Sequence, residues 1–260
     1  MPRIVDPPFE TRSDYRICAG IAERLGLERE YTQGRSERDW VAWAWDRYRA
    51  TRFPNLPDFE EFAASNRGVY SVPVKSPAVA FVDFRRDPDR HPLPTPSGKI
   101  EIFSKRLFDM GNPGEIPALP KYIQEWESPF GPEAADFPLQ AVGPHFMPRV
   151  HSTLDNADWL REAFPQRVFL NPQDAADRGI VDGEPVEVFN RRGRMIIECR
   201  ITRRILPGVI SIPQGAWWRP DENGIDRGGS INVLTSERWT PLAFGNAQHT
   251  IMVEVKRAEG

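Results

Sequence analysis

The stretch from Val168 to Gly193, VFLNPQDAADRGIVDGEPVEVFNRRG, decides the predicted fold. Its apolar run Val168–Leu170 predicts a short buried strand. Asn171 then predicts a helix N-cap, with Pro172 in the first helical position and Asp174 placed to complement the helix dipole. A second predicted strand and a hairpin turn complete the stretch, so that short strands and one short helix alternate with firm turns.

The same pattern extends over the second half of the chain, where strand signals are bounded by Gly, Pro, Asn and Asp. Together with Val168–Leu170, the predicted strands are Leu139–Val142, Pro185–Asn190, Arg194–Thr202, Val209–Ile212 and Thr250–Val255. At least six short strands with one or two short helices indicate a closed β-barrel more than an open sheet.

The first ninety residues predict mostly helices. Ser13 caps a predicted helix that stops at Gly26, since apolar residues recur at helical spacing between them. Ser36 and Asp39 predict the start of a second helix, and a third begins near Pro57. The second helix carries Trp40, Trp43 and Trp45. This cluster allows a ligand cage or packing against a larger body, and packing is favoured.

The middle of the chain is predicted to be irregular. Short strands are predicted at Phe81–Phe84 and Ile100–Phe103, and Pro113–Pro132 contains five prolines, which is typical of an extended connector. We therefore expect three parts: a helical and irregular segment over residues 1–110, a Pro-rich connector over 111–136, and the barrel over 137–260.

Composition excludes several classes of protein. The 260 residues carry 34 Lys+Arg and 37 Asp+Glu, a net charge of −3, which argues against a general nucleic-acid binder. No stretch approaches about 18 apolar residues, so we expect no membrane span, and the first residues lack the apolar region of a signal peptide. Cys18 and Cys199 are too few for a disulfide framework, a Cys-rich zinc site or an iron–sulfur motif.

Six blocks of the second half occur in a distinctive order. They are 142–152 (VGPHFMPRVHS), 171–193, 206–209 (LPGV), 214–217 (QGAW), 228–235 (GGSINVLT) and 245–250 (GNAQHT). In this order they resemble the C-terminal molybdopterin-dinucleotide-binding domain of the dimethyl sulfoxide reductase superfamily. Blocks of the first half, at 13–15, 21–26, 32–37 and 95–104, are similar to the catalytic A subunit of the membrane-anchored bacterial anaerobic dimethyl sulfoxide reductases.

The resemblance implies a fold and an activity. The fold is mixed α/β and mainly-β, with a C-terminal double-psi β-barrel preceded by a helical and irregular segment that belongs to the preceding domains. The chain would bind a molybdenum bis(molybdopterin guanine dinucleotide) cofactor as the C-terminal part of an oxidoreductase that reduces S- or N-oxides. The [4Fe–4S] cluster and the protein ligand of the metal would lie in the missing N-terminal part, so we expect the chain to be inactive alone.

The resemblance also implies partners and a location. The partners are the remaining domains of the catalytic subunit, an iron–sulfur electron-transfer subunit and a membrane anchor subunit, at the periplasmic face of the bacterial cytoplasmic membrane. Neither nucleic acid nor a direct membrane span is expected. One alternative stays open, which is a stand-alone double-psi barrel that acts as a binding or interaction module without redox activity.

The cofactor-binding residues follow from the same resemblance. They are Gly143, His145, Arg149, His151, Ser152, Thr153, Trp217, Asn232, Gln248 and His249. A pterin dinucleotide needs many neutral donors and acceptors, a few cations, and close backbone approach, which glycine permits. We assign no catalytic residue and no metal ligand, because no third ligand is spaced to join His145 and His151.

Structural roles stay open as alternatives. Arg149 could pair with a surface acid, and the two loop histidines could have no ligand. Asn232 could simply belong to a turn, Gln248 could satisfy its own loop, and Trp217 or Trp218 could pack in the core. A helix-capping role before Trp159 is predicted for Asp155, Asn156 and Asp158.

Overall fold

The computed structural model describes residues 5–65 and 79–258. The chain forms two compact units, Met1–Arg86 and Asp87–Gly260, and each is described by itself. The predicted divisions after residues 110 and 136 stay predictions.

The first unit is helical. Its helices are α1 (Asp14–Arg24), α2 (Glu28–Thr32), α3 (Glu37–Arg52), α4 (Phe59–Ala64) and α5 (Val82–Arg86). Both predicted caps form, since the Ser13 side chain accepts from the backbone N–H of Arg16, while Ser36 and Asp39 make a capping box. Hydrogen bonds from the hydroxyl and backbone N–H of Ser36 hold the pKa of Asp39 below its ordinary value.

The tryptophan cluster of α3 packs within this unit. Trp45 stacks on Phe62 of α4 with 4.3 Å between ring centroids, and its indole N–H donates to the carbonyl of Pro57 at 2.9 Å. Trp40 and Trp43 meet edge to face at 5.4 Å. Trp45 therefore holds α4 against α3. Trp43 is 42% exposed, and packing of the cluster against a larger body stays a prediction.

Two predicted strands are wrong. The one at Phe81–Phe84 overlaps the helix α5, which has an acid in its first turn and two arginines in its last turn, as the helix dipole favours. Residues 100–103 are irregular, and Ile100 and Ile102 are each 73% exposed. An alternating pattern makes a stable strand only beside other strands, and the strands of the barrel pair with one another instead.

The second unit contains a closed barrel of six strands, which confirms the predicted fold class. The strands are β1 (Leu139–Val142), β2 (Arg167–Leu170), β3 (Pro185–Phe189), β4 (Arg194–Ile201), β5 (Val209–Ser211) and β6 (Ile251–Arg257). Their order around the barrel is β1-β5-β2-β4-β3-β6. β1 pairs in parallel with β5, and β2 with β4, whereas the other neighbours are antiparallel.

Short helices fill the connections of this unit. They are α6 (Lys105–Asp109), α7 (Asp158–Ala163), α8 (Pro172–Asp177) and the 3₁₀ helices Pro132–Ala135 and Ile231–Leu234. In residues 5–65 and 79–258, no helix combines the length and the hydrophobicity needed to cross a membrane.

Alternate residues of the strands fill the barrel interior. Leu139 and Ala141 on β1, and Val168 and Leu170 on β2, are at most 2% exposed, as the two-residue period of a strand requires. Full burial of each large apolar side chain contributes about 1.5–3 kcal/mol. The core thus lies inside the barrel, and the polar residues of the connections lie at its rims.

The predicted start of α8 is confirmed. The Asn171 side chain accepts from the backbone N–H of Gln173 at 2.9 Å, and its amide donates to the carbonyl of Ile205 at 2.7 Å. Asp174, which is 7% exposed, accepts from the backbone N–H of Gly208 at 2.9 Å. These contacts tie α8 to the turn before β5.

The connector predicted over Pro113–Pro132 is irregular up to the 3₁₀ helix that begins at its last residue. Glu127 fastens it to the barrel, because its carboxylate accepts from the guanidinium of Arg192 at 2.9 Å and from the backbone N–H of Met252 at 3.1 Å. The connector therefore runs along the barrel surface.

The two cysteines should differ sharply in reactivity. Cys199 on β4 is fully buried, and burial raises the pKa of its thiol to about 11, whereas Cys18 is exposed. Because the thiolate is the reactive form, we expect a disulfide reagent at pH 8 to titrate one thiol in the native chain and two in guanidinium chloride. Cys18→Ser should remove the fast reaction, and rapid labelling of Cys199 in the native variant would contradict the assignment.

Candidate cofactor-binding site

Strand register brings two of the predicted segments together. Ala141 of β1 lies opposite Ile251 of β6 in an antiparallel pair, so the residues after β1 meet the residues before β6. The backbone N–H of Gly143 accordingly donates to Nδ1 of His249 at 3.3 Å. A Cβ at Gly143 would lie 3.0 Å from Cδ1 of Ile231, so a side chain at this position would crowd the side chain of Ile231.

The parallel pairing of β1 and β5 adds a third segment at the same end. Val142 lies opposite Ser211, and parallel neighbours end at the same edge of a sheet. The loops that follow them run side by side so closely that a Cβ at Gly215, where φ is +94°, would overlap the carbonyl oxygen of His151. Glycine is therefore required by both the conformation and the space.

The loop after β1 exposes a polar set of side chains. The rings of His145 and His151 meet edge to face at 5.1 Å, and both residues are exposed, as are Ser152 and Thr153. The carbonyl of Ser152 accepts from the indole N–H of Trp217 at 2.8 Å. Trp217 is 44% exposed, so imidazoles, hydroxyls and an indole are available to a ligand.

Arg149 differs from its neighbours because its side chain is buried, with 4% exposed. The guanidinium pairs with Asp155 and donates to Oε1 of Gln166 at 2.6 Å and to the carbonyl of Gln214 at 3.2 Å. It also lies 4.7 Å above the ring of Phe146. Its partner acid is buried as well, rather than on the surface. Arg149 therefore lies beneath the loop, and its contact with a cofactor stays a prediction.

The helix-capping role is wrong for Asp155, Asn156 and Asp158. The N-cap of α7 is Ala157, whose side chain has no acceptor. Asp155 turns into the loop cluster instead, where it accepts from the backbone N–H of Trp217 at 2.9 Å and from the guanidinium of Arg219 at 3.0 Å. Two guanidinium groups satisfy a buried carboxylate better than a single helix N–H does.

A buried acid that the sequence analysis missed orders the segment around Asn232. Asp226 is fully buried and accepts from the backbone N–H groups of Arg219 at 2.7 Å, Gly228 at 2.9 Å and Ser230 at 2.6 Å. Asn232 follows in a 3₁₀ helix with its side chain exposed. An Asp two residues before Gly-Gly is a turn signal that could have revealed this role.

Gln248 and His249 complete the set just before β6. Gln248 is half-buried, and its amide donates to Oδ1 of Asn246 at 3.1 Å, which is the local contact that a self-satisfied loop would have. His249 is exposed and accepts from Gly143. Both residues thus lie next to the end of β1.

A cleft of about 640 Å³ adjoins the start of the loop at Pro144. Part of its lining is a row of residues opposite one another on adjacent strands: Val142, Ser211, Phe169 and Arg200. Arg204 lines it as well. The guanidinium of Arg200 is paired with Asp182 at 2.7 Å. The sequence analysis missed both arginines because they belong to no motif.

Exposure divides the ten predicted residues. Exposed side chains belong to His145, His151, Ser152, Thr153, Trp217, Asn232 and His249, while Gln248 is half-buried and Gly143 and Arg149 are buried. Among the residues that the structure describes, no group of three His, Cys, Asp or Glu side chains could hold a metal ion. The exposed side chains carry imidazole, hydroxyl and amide groups that can form hydrogen bonds with an organic ligand.

Comparison with known families agrees with this geometry. Residues 139–252 match the family model of the molydopterin dinucleotide binding domain. These residues belong to that domain family. The matched range begins at the first residue of β1 and ends within β6, so the dinucleotide-binding domain and the barrel coincide.

Relatives extend the similarity over the rest of the chain. "Dimethyl sulfoxide reductase DmsA" of Haemophilus influenzae is 41% identical over 98% of this chain and 32% of its own length. "Dimethyl sulfoxide/trimethylamine N-oxide reductase" of Cereibacter sphaeroides is 38% identical over 100% and 33%. The solved acetylene hydratase of Pelobacter acetylenicus shares the fold, with a TM-score of 0.66, 21% identity, and coverage of 99% of this chain and 34% of its own. The chain spans about a third of the length of these relatives.

Gly215 provides a test of the close loop contact. Gly215→Ala adds a Cβ where the carbonyl of His151 lies, whereas Gly208→Ala adds one at φ +78° with nothing within 4 Å. We expect Gly208→Ala to lower the free energy of unfolding by about 1–3 kcal/mol through strain alone. Gly215→Ala should cost about 1–3 kcal/mol more through overpacking. Urea unfolding measures both, and equal losses would show that the two loops do not touch.

Proposed function

We propose that the dinucleotide-binding domain holds a molybdopterin guanine dinucleotide at the barrel end where four segments converge. These segments are 143–155, 213–219, 226–232 and 246–249. The proposal rests on their direct contacts. The first segment meets the fourth through Gly143 and His249, and it meets the second through Ser152 and Trp217. The third joins the second through Asp226.

The side chains at this end fit such a ligand. The exposed residues carry imidazoles, hydroxyls and an amide, which can hydrogen-bond pterin or phosphate oxygens and nitrogens. The indole N–H of Trp217 already donates to the carbonyl of Ser152, so Trp217 offers its ring for apolar contact. The nearby acids Asp155 and Asp226 are buried, and their carboxylate oxygens accept hydrogen bonds from donors within the protein. They therefore do not repel phosphate at the surface. Gly143 lets Ile231 and the carbonyl of Gln248 pack against the end of β1, which keeps segments 143–155 and 246–249 together.

The residues divide into roles in this proposal. His145, His151, Ser152 and Thr153 donate to the pterin and phosphate region. Asn232 and Gln248 read a pterin edge through amides that both donate and accept, and His249 and Trp217 flank them. Arg149 contributes its charge from beneath the loop, where its Nε is buried and has no hydrogen-bond partner among the described residues.

The names of the relatives extend the proposal to an activity. We propose that the chain acts as the C-terminal part of a molybdenum oxidoreductase that reduces S- or N-oxides, and that it is inactive alone. When bound, the molybdenum cofactor would supply the oxygen-transfer chemistry, while this chain would bind and orient the dinucleotide. The remaining domains would supply a [4Fe–4S] cluster, and an iron–sulfur subunit and a membrane anchor would join them at the periplasmic face.

Copurification tests the binding proposal. The 260-residue chain, expressed anaerobically in a host that makes the cofactor, should retain molybdenum and release guanine nucleotide on acid hydrolysis. His151→Ala with Asn232→Ala removes two polar contacts of about 1 kcal/mol each, so the affinity for the nucleotide should fall about thirtyfold.

His91→Ala is the matched control, since it removes an exposed imidazole outside the four segments. It should retain as much nucleotide as the wild type. A wild-type chain without molybdenum or nucleotide would favour the stand-alone binding or interaction module instead.

A further inference from the structure

A polar cluster with a buried centre joins the proposed binding loops. Arg149 and Asp155 are buried, Gln166 is half-buried, and the side chain of Arg219 is 38% exposed. We propose that Asp155 is a positioning residue that, through Arg149 and Arg219, holds segments 143–155 and 213–219 in the arrangement that binds the dinucleotide. This inference rests on the proposed function and assigns Asp155 no contact with the ligand.

Asp155 joins two segments through both carboxylate oxygens. It is 2% exposed. Oδ1 pairs with the guanidinium of Arg149 in its own segment, while Oδ2 accepts from the backbone N–H of Trp217 at 2.9 Å and from Nη2 of Arg219 at 3.0 Å in the other. The backbone carbonyl of Asp155 also accepts from Arg219 at 3.2 Å. One side chain thus fixes the distance between the loop of His151 and the loop of Trp217.

Gln166 connects the cluster to the third segment, 226–232, and to the barrel. Its Oε1 accepts from Arg149 at 2.6 Å, and its Nε2 donates to the carbonyls of Pro213 at 2.7 Å and Gly229 at 3.1 Å. Gln166 immediately precedes β2, so the cluster is anchored on the barrel. A Cβ at Gly229 would lie 2.7 Å from Cγ of Gln166, which shows how closely these elements approach.

The location of these contacts distinguishes a positioning role of Asp155 from a general contribution to stability. The partners of Asp155 lie in the two loop segments, and those of the wider cluster lie in three of the four segments that carry the predicted ligands. Loss of the carboxylate leaves the buried Arg149 cation without its counter-ion. The resulting rearrangement should therefore reach His151, Ser152 and Trp217 before it reaches the apolar core.

A purely electrostatic role and a positioning role of Asp155 predict opposite effects on dinucleotide binding. One carboxylate lies between two guanidinium groups, so Asp155→Asn makes the cluster more positive. If the cluster acted only as a charge, this variant would bind an anionic dinucleotide more tightly. Positioning predicts weaker binding, because Asn replaces an acceptor oxygen with a donor that faces either a guanidinium or a backbone N–H.

The experiment compares the full chain with Asp155→Asn and the milder Arg219→Gln. The first readout is guanine nucleotide retained on copurification, expected to fall at least fivefold in Asp155→Asn and about twofold in Arg219→Gln. The second needs no ligand: the chain is labelled with 5-fluorotryptophan, and the ¹⁹F resonance of Trp217, assigned by its loss in Trp217→Phe, should shift or broaden in both variants.

Glu254→Gln is the control for a merely structural effect. It breaks the partly buried pair between Arg178 and Glu254, at 2.6 Å, which lies outside the cluster. We expect it to lower Tm while the retained nucleotide and the Trp217 resonance stay as in the wild type. If Asp155→Asn does not fold, Arg219→Gln decides by the same readouts.

Two results would overturn the inference. One is retained or increased nucleotide in a folded Asp155→Asn chain or, where only Arg219→Gln folds, in that variant. The other is an unchanged Trp217 resonance in the variants that fold. A wild-type chain that binds no nucleotide would instead refute the proposed function, and the ¹⁹F spectra would still report whether Asp155 orders the loops.

Discussion

Closure of the barrel by its last strand is the constraint on which the candidate site depends. β6 pairs with both β1 and β3, so residues more than a hundred positions apart meet at one edge, as Gly143 and His249 do. The parallel pairing of β1 with β5 then delivers a second loop to that edge. In an open sheet with β6 elsewhere, the same motifs would lie on separate edges and could not share a ligand.

Below the exposed loops, buried acids accept hydrogen bonds from backbone N–H groups of the loops. Asp226 accepts from three backbone N–H groups, and Asp155 accepts from one more and from two arginines. A buried charge is costly unless it is paired or hydrogen-bonded. Asp155 is paired with two guanidinium groups, and Asp226 is hydrogen-bonded by three backbone N–H groups. The consequence is a surface of neutral donors and acceptors whose loops are held from beneath.

Local features were predictable from sequence because they depend on neighbouring residues. The caps at Ser13, Ser36 and Asn171 each involve a backbone N–H two or three residues away, and the six barrel strands were found within a few residues of their bounds. The strands expected at Phe81–Phe84 and Ile100–Phe103 failed because a strand needs a neighbour, and sequence spacing does not specify one.

The sequence by itself determined the barrel's strands, their turn residues and the loops that carry polar side chains. Only the tertiary structure decided which of those side chains are available to a ligand. Arg149 and His151 stand two residues apart in one motif, yet the first is buried against Asp155 and the second is exposed. The physical reason is that two partners of Arg149, at Gln166 and Gln214, become its neighbours only when strands β1, β2 and β5 come together around the closed barrel.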